Sequence, residues 1–148
     1  MNVFRRFLRR RPRLVAGLSF GVSTALLTHF AWYPDSRMNG MIPALTIGVG
    51  FAHAAAGAIT GKRLLDTTRT QTSMNAAMLG AGTSLLALGF FAPALAAYVS
   101  ASDASKQSVL GYMIMTLLTW LFAFLGAGWA LLLLSVGVAA VLHRLAST

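Results

Sequence analysis

Four long apolar stretches, separated by short polar connectors, dominate the chain. They run from about Leu14 to Tyr33, Met41 to Thr60, Met74 to Ser100 and Val109 to Leu142. Each is apolar on every face rather than alternating with period two, which specifies helices and not barrel strands. A bilayer core near 30 Å needs roughly 20 helical residues at 1.5 Å each. The first two stretches have that length and the third has a few residues to spare. The pattern predicts an all-α integral membrane protein, a bundle of four transmembrane helices with a long last helix. The spans, about 14–33, 41–60, 74–100 and 109–142, form one domain over 14–148.

The last stretch is too long for one simple crossing: its 34 residues would make a helix of roughly 51 Å. One reading is a single helix whose inner end, Leu131 to Leu142, projects beyond the lipid core and packs on something. The alternative is five short spans, with a turn at Gly126-Ala127-Gly128. Each half would then fall below the usual crossing length, and the turn would hold no polar residue. The single long helix is the preferred expectation.

Local signals mark the ends. Trp32-Tyr33-Pro34 closes the first span with rings suited to the headgroup layer. Pro43 falls in the first turn of the second helix, where a missing N–H costs little. Ser73 is the expected N-cap of the third. Pro93 lies inside that helix and cannot bond the carbonyl of Gly89, so a kink is expected there.

Charge then orients the bundle. Only 10% of the 148 residues are charged, against 57% hydrophobic, with a net charge of +9. A soluble domain carries about 25% charged residues, so the composition supports the membrane reading. Before the first span stand Arg5, Arg6, Arg9, Arg10, Arg11 and Arg13; Lys62, Arg63 and Arg69 follow the second, and Arg144 ends the fourth. The two other connectors hold only Arg37 and Lys106. With four spans the positive-inside rule places the basic side and both termini in the cytoplasm, of a bacterial inner membrane or its organellar equivalent.

Residues 1–13 form a separate basic amphipathic segment. Val3, Phe4, Phe7 and Leu8 share a helix face flanked by the arginines, and Pro12 breaks the pattern. Arg5, Arg6, Arg9, Arg10, Arg11 and Arg13 are the candidate contacts to anionic lipid, each worth about 1 kcal/mol near the surface. The plainer reading is that they only fix orientation during insertion. Nucleic acid is not an expected partner, because the charge is a strip beside the membrane without a reading element.

His53 is the most informative single residue. It sits mid-span in a stripe of Thr46, Gly50, His53, Gly57 and Thr60, and an ionisable group at this depth invites a functional hypothesis. A neutral imidazole is a metal ligand, to haem iron or chlorophyll magnesium, and Gly50 and Gly57 one turn to either side leave room for a flat macrocycle. The competing reading is a neutral His bonded to a hydroxyl on a neighbouring helix, with the glycines serving close packing. His29 lies roughly 12 Å from the level of His53, at 1.5 Å per residue, too far to clamp one haem with it. His143 reads as a helix terminus at the membrane edge.

Small residues recur four apart: Gly17/Gly21, Gly50/Ala54, Gly57/Gly61, Ala76/Gly80/Ser84 and Gly126/Ala130. This spacing lets helix backbones approach closely in lipid. Absences narrow the function further. The only acids are Asp35, Asp66 and Asp103, none within a span, and there is no cysteine. Ion-coupled transport, which needs an intramembrane carboxylate, is disfavoured, and so is thiol chemistry. No catalytic constellation stands out, and no enzymatic activity is expected. The expected function is a small accessory subunit packing into a larger membrane complex, with energy-converting complexes as one host class. The alternative is a small homo-oligomeric channel or carrier for a neutral or hydrophobic solute, lined by Ser19, Ser23, Thr24, Thr46, Thr83, Thr116 and Thr119.

Overall fold

The structure is a computed structural model that describes residues 7, 10–32, 42–66, 72–102 and 108–147. Within them the chain is all helical, with no strand. The elements are α1 (Pro12–Trp32), α2 (Ile42–Leu65), α3 (Ser73–Ser102), α4 (Val109–Ala123), a π turn (Phe124–Gly128) and α5 (Trp129–Ser147). Two stretches, Ser73–Leu95 and Trp129–Ser147, are long and apolar enough to cross a membrane by length and composition, and Val109–Leu121 is apolar but shorter.

The ends follow from capping chemistry, with one correction. Thr72, not Ser73, caps α3: its Oγ1 accepts the N–H of Asn75 at 3.2 Å. Adjacent hydroxyls compete for one cap, and only the residue three before a free N–H has the geometry to take it. Ser108 caps α4 in the same way, accepting from the Gly111 N–H at 3.2 Å. Pro12 and Pro43 stand in the first turns of α1 and α2. The turn ahead of Pro12 is itself helical, since the Arg11 N–H bonds the Phe7 carbonyl and the Val15 N–H bonds that of Arg11. Helix α3 continues through Pro93, whose carbonyl receives the Tyr112 hydroxyl at 2.9 Å.

Glycines set the packing. A Cβ added to Gly17 would lie 2.9 Å from the Ala54 carbonyl oxygen, and one on Gly21 would lie 3.0 Å from that of Gly50. At the other end of the same seam, a Cβ on Gly61 would meet the Ala16 Cβ at 2.6 Å and the Pro12 carbonyl at 2.8 Å. These partners rise in one helix as they fall in the other, so α1 and α2 form an antiparallel hairpin at backbone contact. Helix α3 lies on the other side of α2, antiparallel to it, with Phe91 over Gly48 and Thr83 bonded to Thr60. Helix α5 closes the bundle at Gly80, where an added Cβ would stand 2.6 Å from the Ser135 carbonyl.

One core joins all four packed helices through Ala16, Phe20, Leu64, Leu65, Ala76, Ala139, Leu142 and Ala146. These residues lie near the start of α1, the end of α2, the start of α3 and the end of α5. Every described Lys and Arg, namely Arg10, Arg11, Arg13, Lys62, Arg63 and Arg144, belongs to this same end. Arg5, Arg6, Arg9, Arg37, Arg69 and Lys106 lie outside the described residues, as do Tyr33 and Pro34.

The long last stretch is helical throughout, and Phe124 keeps right-handed helical backbone angles at the junction. It is nevertheless not straight. It touches α3 at Tyr112–Pro93 and at Ser135–Gly80, points separated by 13 residues on α3 and 23 on the last stretch. At 1.5 Å per residue these are about 20 Å and about 35 Å. A straight rod would overshoot by roughly 15 Å, beyond what a tyrosine side chain spans. The stretch bends between these contacts, and the π turn is the local irregularity where such bends arise. What the inner end, Leu131 to Leu142, packs on is this chain's own bundle. Leu131, Ala139 and Leu142 are buried in the bundle, whereas α4 packs chiefly against α3 and is exposed along most of its length. The physical reason is the small-residue row Ser135, Ala139, Ala146, which admits α5 to the bundle although leucines surround it.

Candidate functional site

His53 lies in the interface between α2 and α3, with 1% of its surface exposed. Its Nδ1 is 3.0 Å from the Val49 carbonyl oxygen, one turn back on its own helix. A carbonyl only accepts, so Nδ1 carries the proton and Nε2 the lone pair. That lone pair faces Ser84 Oγ on α3 at 3.4 Å, a long hydroxyl contact in which the serine donates. Two turns of α2 further toward the basic end, Thr60 and Thr83 pair at 2.8 Å. Two hydroxyl-bearing contacts thus stitch α2 to α3 around the alanine cluster of Ala52, Ala56 and Ala87.

The glycines that accompany His53 in the sequence face elsewhere. A Cβ on Gly50 would meet Ala25 Cβ at 3.0 Å, and one on Gly57 would meet the Phe20 ring at 2.8 Å and the Ala16 carbonyl at 2.9 Å. Helix α2 is packed on two sides: Gly50 and Gly57 look to α1, and His53 and Thr60 look to α3. The space each glycine vacates is occupied by the hairpin partner, so a macrocycle on His53 Nε2 would have to displace Ser84. Among the described residues no three His, Asp or Glu side chains gather to hold a metal ion. His29 stands edge-on to Phe30 at 5.6 Å. The hairpin register sets it about eight residues along α1 from the level of His53, roughly 12 Å.

The hydroxyls named as a possible solute path divide between several environments. Thr24 donates to the Phe20 carbonyl at 2.7 Å and Thr83 to that of Leu79 at 2.7 Å, each turned back on its own helix. Ser19 and Ser23 line an apolar cleft of about 800 Å³ between α1 and α5, with Leu133, Leu134 and Val138 opposite. Thr46 Oγ1, Thr116 Oγ1, Ser135 Oγ and His143 Nδ1 are buried without a hydrogen-bond partner. His143 lies near the end of α5, as expected, and its side chain is largely buried between the core residues Leu142 and Ala146.

A second site lies at the basic end and was not legible as a cavity in the sequence. Arg13, Lys62, Arg63 and Asp66 surround a cavity of about 540 Å³ with Thr60, Ile59 and Leu79. The close approach at Gly61 assembles it, because the Arg13 Cα comes within 3.3 Å of where a Gly61 Cβ would be. Of the arginines of the amino-terminal strip, Arg10, Arg11 and Arg13 are described and all three are exposed. No protein-family model, curated protein or solved structure matches this chain.

Proposed function

We propose that the chain is a small multi-pass membrane subunit that packs into a larger membrane assembly, with α4 as its docking element. The observation that carries this reading is the contrast between α4 and the rest of the bundle. Every other helix buries several residues, whereas none of the described residues of α4 is buried, and Val109, Met113 and Leu117 on it are 79%, 62% and 68% exposed. The seven large apolar side chains exposed on this helix would be a liability in water and need a cover of lipid or protein.

Four crossings are the reading that lengths support. Helices of 21 residues in α1 and 24 in α2 measure about 31 and 36 Å, enough for a bilayer core. Four crossings also put the described cations on one face, which the positive-inside rule assigns to the cytoplasm together with both termini. The amino-terminal arginines then lie where anionic headgroups are.

Photo-crosslinkers placed at Met113 and Leu117, and at Ile47 on the α1–α2 hairpin as a comparison, test the docking role in native membranes. The expected result is crosslinks from α4 to one or two other membrane proteins in constant yield. Crosslinks to lipid alone, or to a second copy of this chain alone, would overturn it.

A further inference from the structure

We infer that the cavity at the basic end is a binding site for a doubly negative phosphate headgroup of a membrane lipid, the class of phosphatidate or cardiolipin. The inference rests on the membrane reading, which places this end of the bundle at the lipid headgroups. It does not rest on α4 or on any partner protein.

The argument begins with a cost. Arg13 is 49 residues from Lys62 in sequence, yet Gly61 packs so closely on Pro12 and Ala16 that the start of α1 and the end of α2 cannot separate. Three cations are therefore held around one cavity, and Asp66 supplies a single carboxylate among them. Among the described lining residues the net charge is +2. Like charges converging at a membrane surface repel, and a surface of reduced dielectric strengthens that repulsion. The close approach at Gly61 keeps all three within reach of one headgroup, and a bound anion offsets the repulsion. A headgroup with two negative charges, on one phosphate monoester or on two phosphodiesters, neutralises this lining; a monoanionic headgroup leaves one charge over, and a zwitterionic one leaves two.

Shape and depth favour a lipid over a free ion. The cavity's lining is divided almost evenly between polar and apolar surface, with Ile59 and Leu79 forming its apolar side. Ile59 is largely exposed on α2, one residue before Thr60, on the membrane side of Lys62. A headgroup phosphate seated among Arg13, Lys62 and Arg63 would lay its first acyl methylenes against Ile59 and Leu79. An inorganic phosphate would leave those two side chains unused.

Native mass spectrometry of the full-length protein, released from detergent with defined lipids, reads the site directly. Phosphatidate, cardiolipin, phosphatidylglycerol and phosphatidylcholine are offered in turn, with inorganic phosphate as competitor. Phosphatidate and cardiolipin are expected to remain bound when the other two are lost. The double variant K62Q/R63Q removes two cations worth about 1 kcal/mol each, so retention should weaken about thirtyfold. The variant R10Q/R11Q removes the same charge outside the cavity and should leave the preference for phosphatidate over phosphatidylglycerol intact, whereas K62Q/R63Q should abolish it. Equal retention of phosphatidate and phosphatidylglycerol, or no effect of K62Q/R63Q, would overturn the proposal, as would displacement of the lipid by stoichiometric inorganic phosphate. Carbonate extraction of the membranes is scored separately. A chain released by carbonate would refute the membrane reading, whereas a chain that stays embedded but shows no headgroup preference refutes only this site.

Discussion

Replacing Gly80 with alanine probes the contact that admits α5 to the bundle. A Cβ at this position would lie 2.6 Å from the Ser135 carbonyl oxygen, 2.8 Å from the Ala139 Cβ and 2.9 Å from the Val136 Cα. Ordinary van der Waals contact begins near 3.4 Å, so α5 must retreat by nearly 1 Å, and two of the three obstacles are backbone that cannot rotate away. Overpacking of this kind costs about 1–3 kcal/mol. Alanine recovers about 1 kcal/mol of helix propensity relative to glycine, leaving a net loss of up to about 2 kcal/mol. Two residues further along the same helix, Gly82 has nothing within 4 Å of its added Cβ. Gly82→Ala therefore gains the propensity with no clash and should stabilise by about 0.5–1 kcal/mol. The assay is equilibrium unfolding of both variants in one detergent, followed by helical circular dichroism. Opposite signs for Gly80 and Gly82 are expected. A Gly80→Ala chain as stable as Gly82→Ala would refute the claim that α3 and α5 meet backbone to backbone at this point.

Three further changes have readings of their own. Tyr112→Phe deletes the hydroxyl that bonds the Pro93 carbonyl and should cost about 1 kcal/mol; faster hydrogen exchange confined to α4 is expected, and unchanged exchange there would show that the bond does not hold the arm. Thr72→Ala should destabilise α3 by about 1 kcal/mol while Ser73→Ala stays near neutral, because only Thr72 accepts a backbone N–H; equal effects in thermal unfolding would contradict the cap assignment. Ser84→Ala leaves the His53 lone pair without its donor, but at 3.4 Å that bond is weak. A loss below about 1 kcal/mol is expected by denaturant titration, and a larger one would mean the α2–α3 contact is tighter than this distance indicates.

The sequence and the structure agree most closely where the physical signal is one-dimensional. Helix ends in α1 and α3 fall within about two residues of the apolar boundaries, since length and hydrophobicity are properties of a single segment. The pairs Gly17/Gly21, Gly50/Ala54 and Gly57/Gly61 were legible as packing positions for a similar reason: in an apolar helix a missing side chain has few other uses. What could not be read was the allocation of faces. Gly50, His53 and Gly57 share a stripe in α2, but a helix sandwiched between two neighbours divides that stripe, and nothing in its own sequence says which residue meets which helix. The same limit hid the basic cavity, whose cations come from α1 and α2 and converge only through the contact at Gly61. The last stretch misled through its leucines. The row Ser135, Ala139, Ala146 buries α5, and the equally apolar α4, without such a row, is left outside.

That exposed arm makes the native assembly state the deciding observation. Mild extraction from native membranes, followed by separation by size and a mass inventory of the fraction that holds this chain, measures it directly. The account predicts that the chain travels with a larger set of membrane proteins in fixed stoichiometry, and that polar substitutions at Met113 and Leu117 release it as a folded monomer. A chain that is recovered alone, or only with copies of itself, and whose behaviour those substitutions leave unchanged, would contradict it.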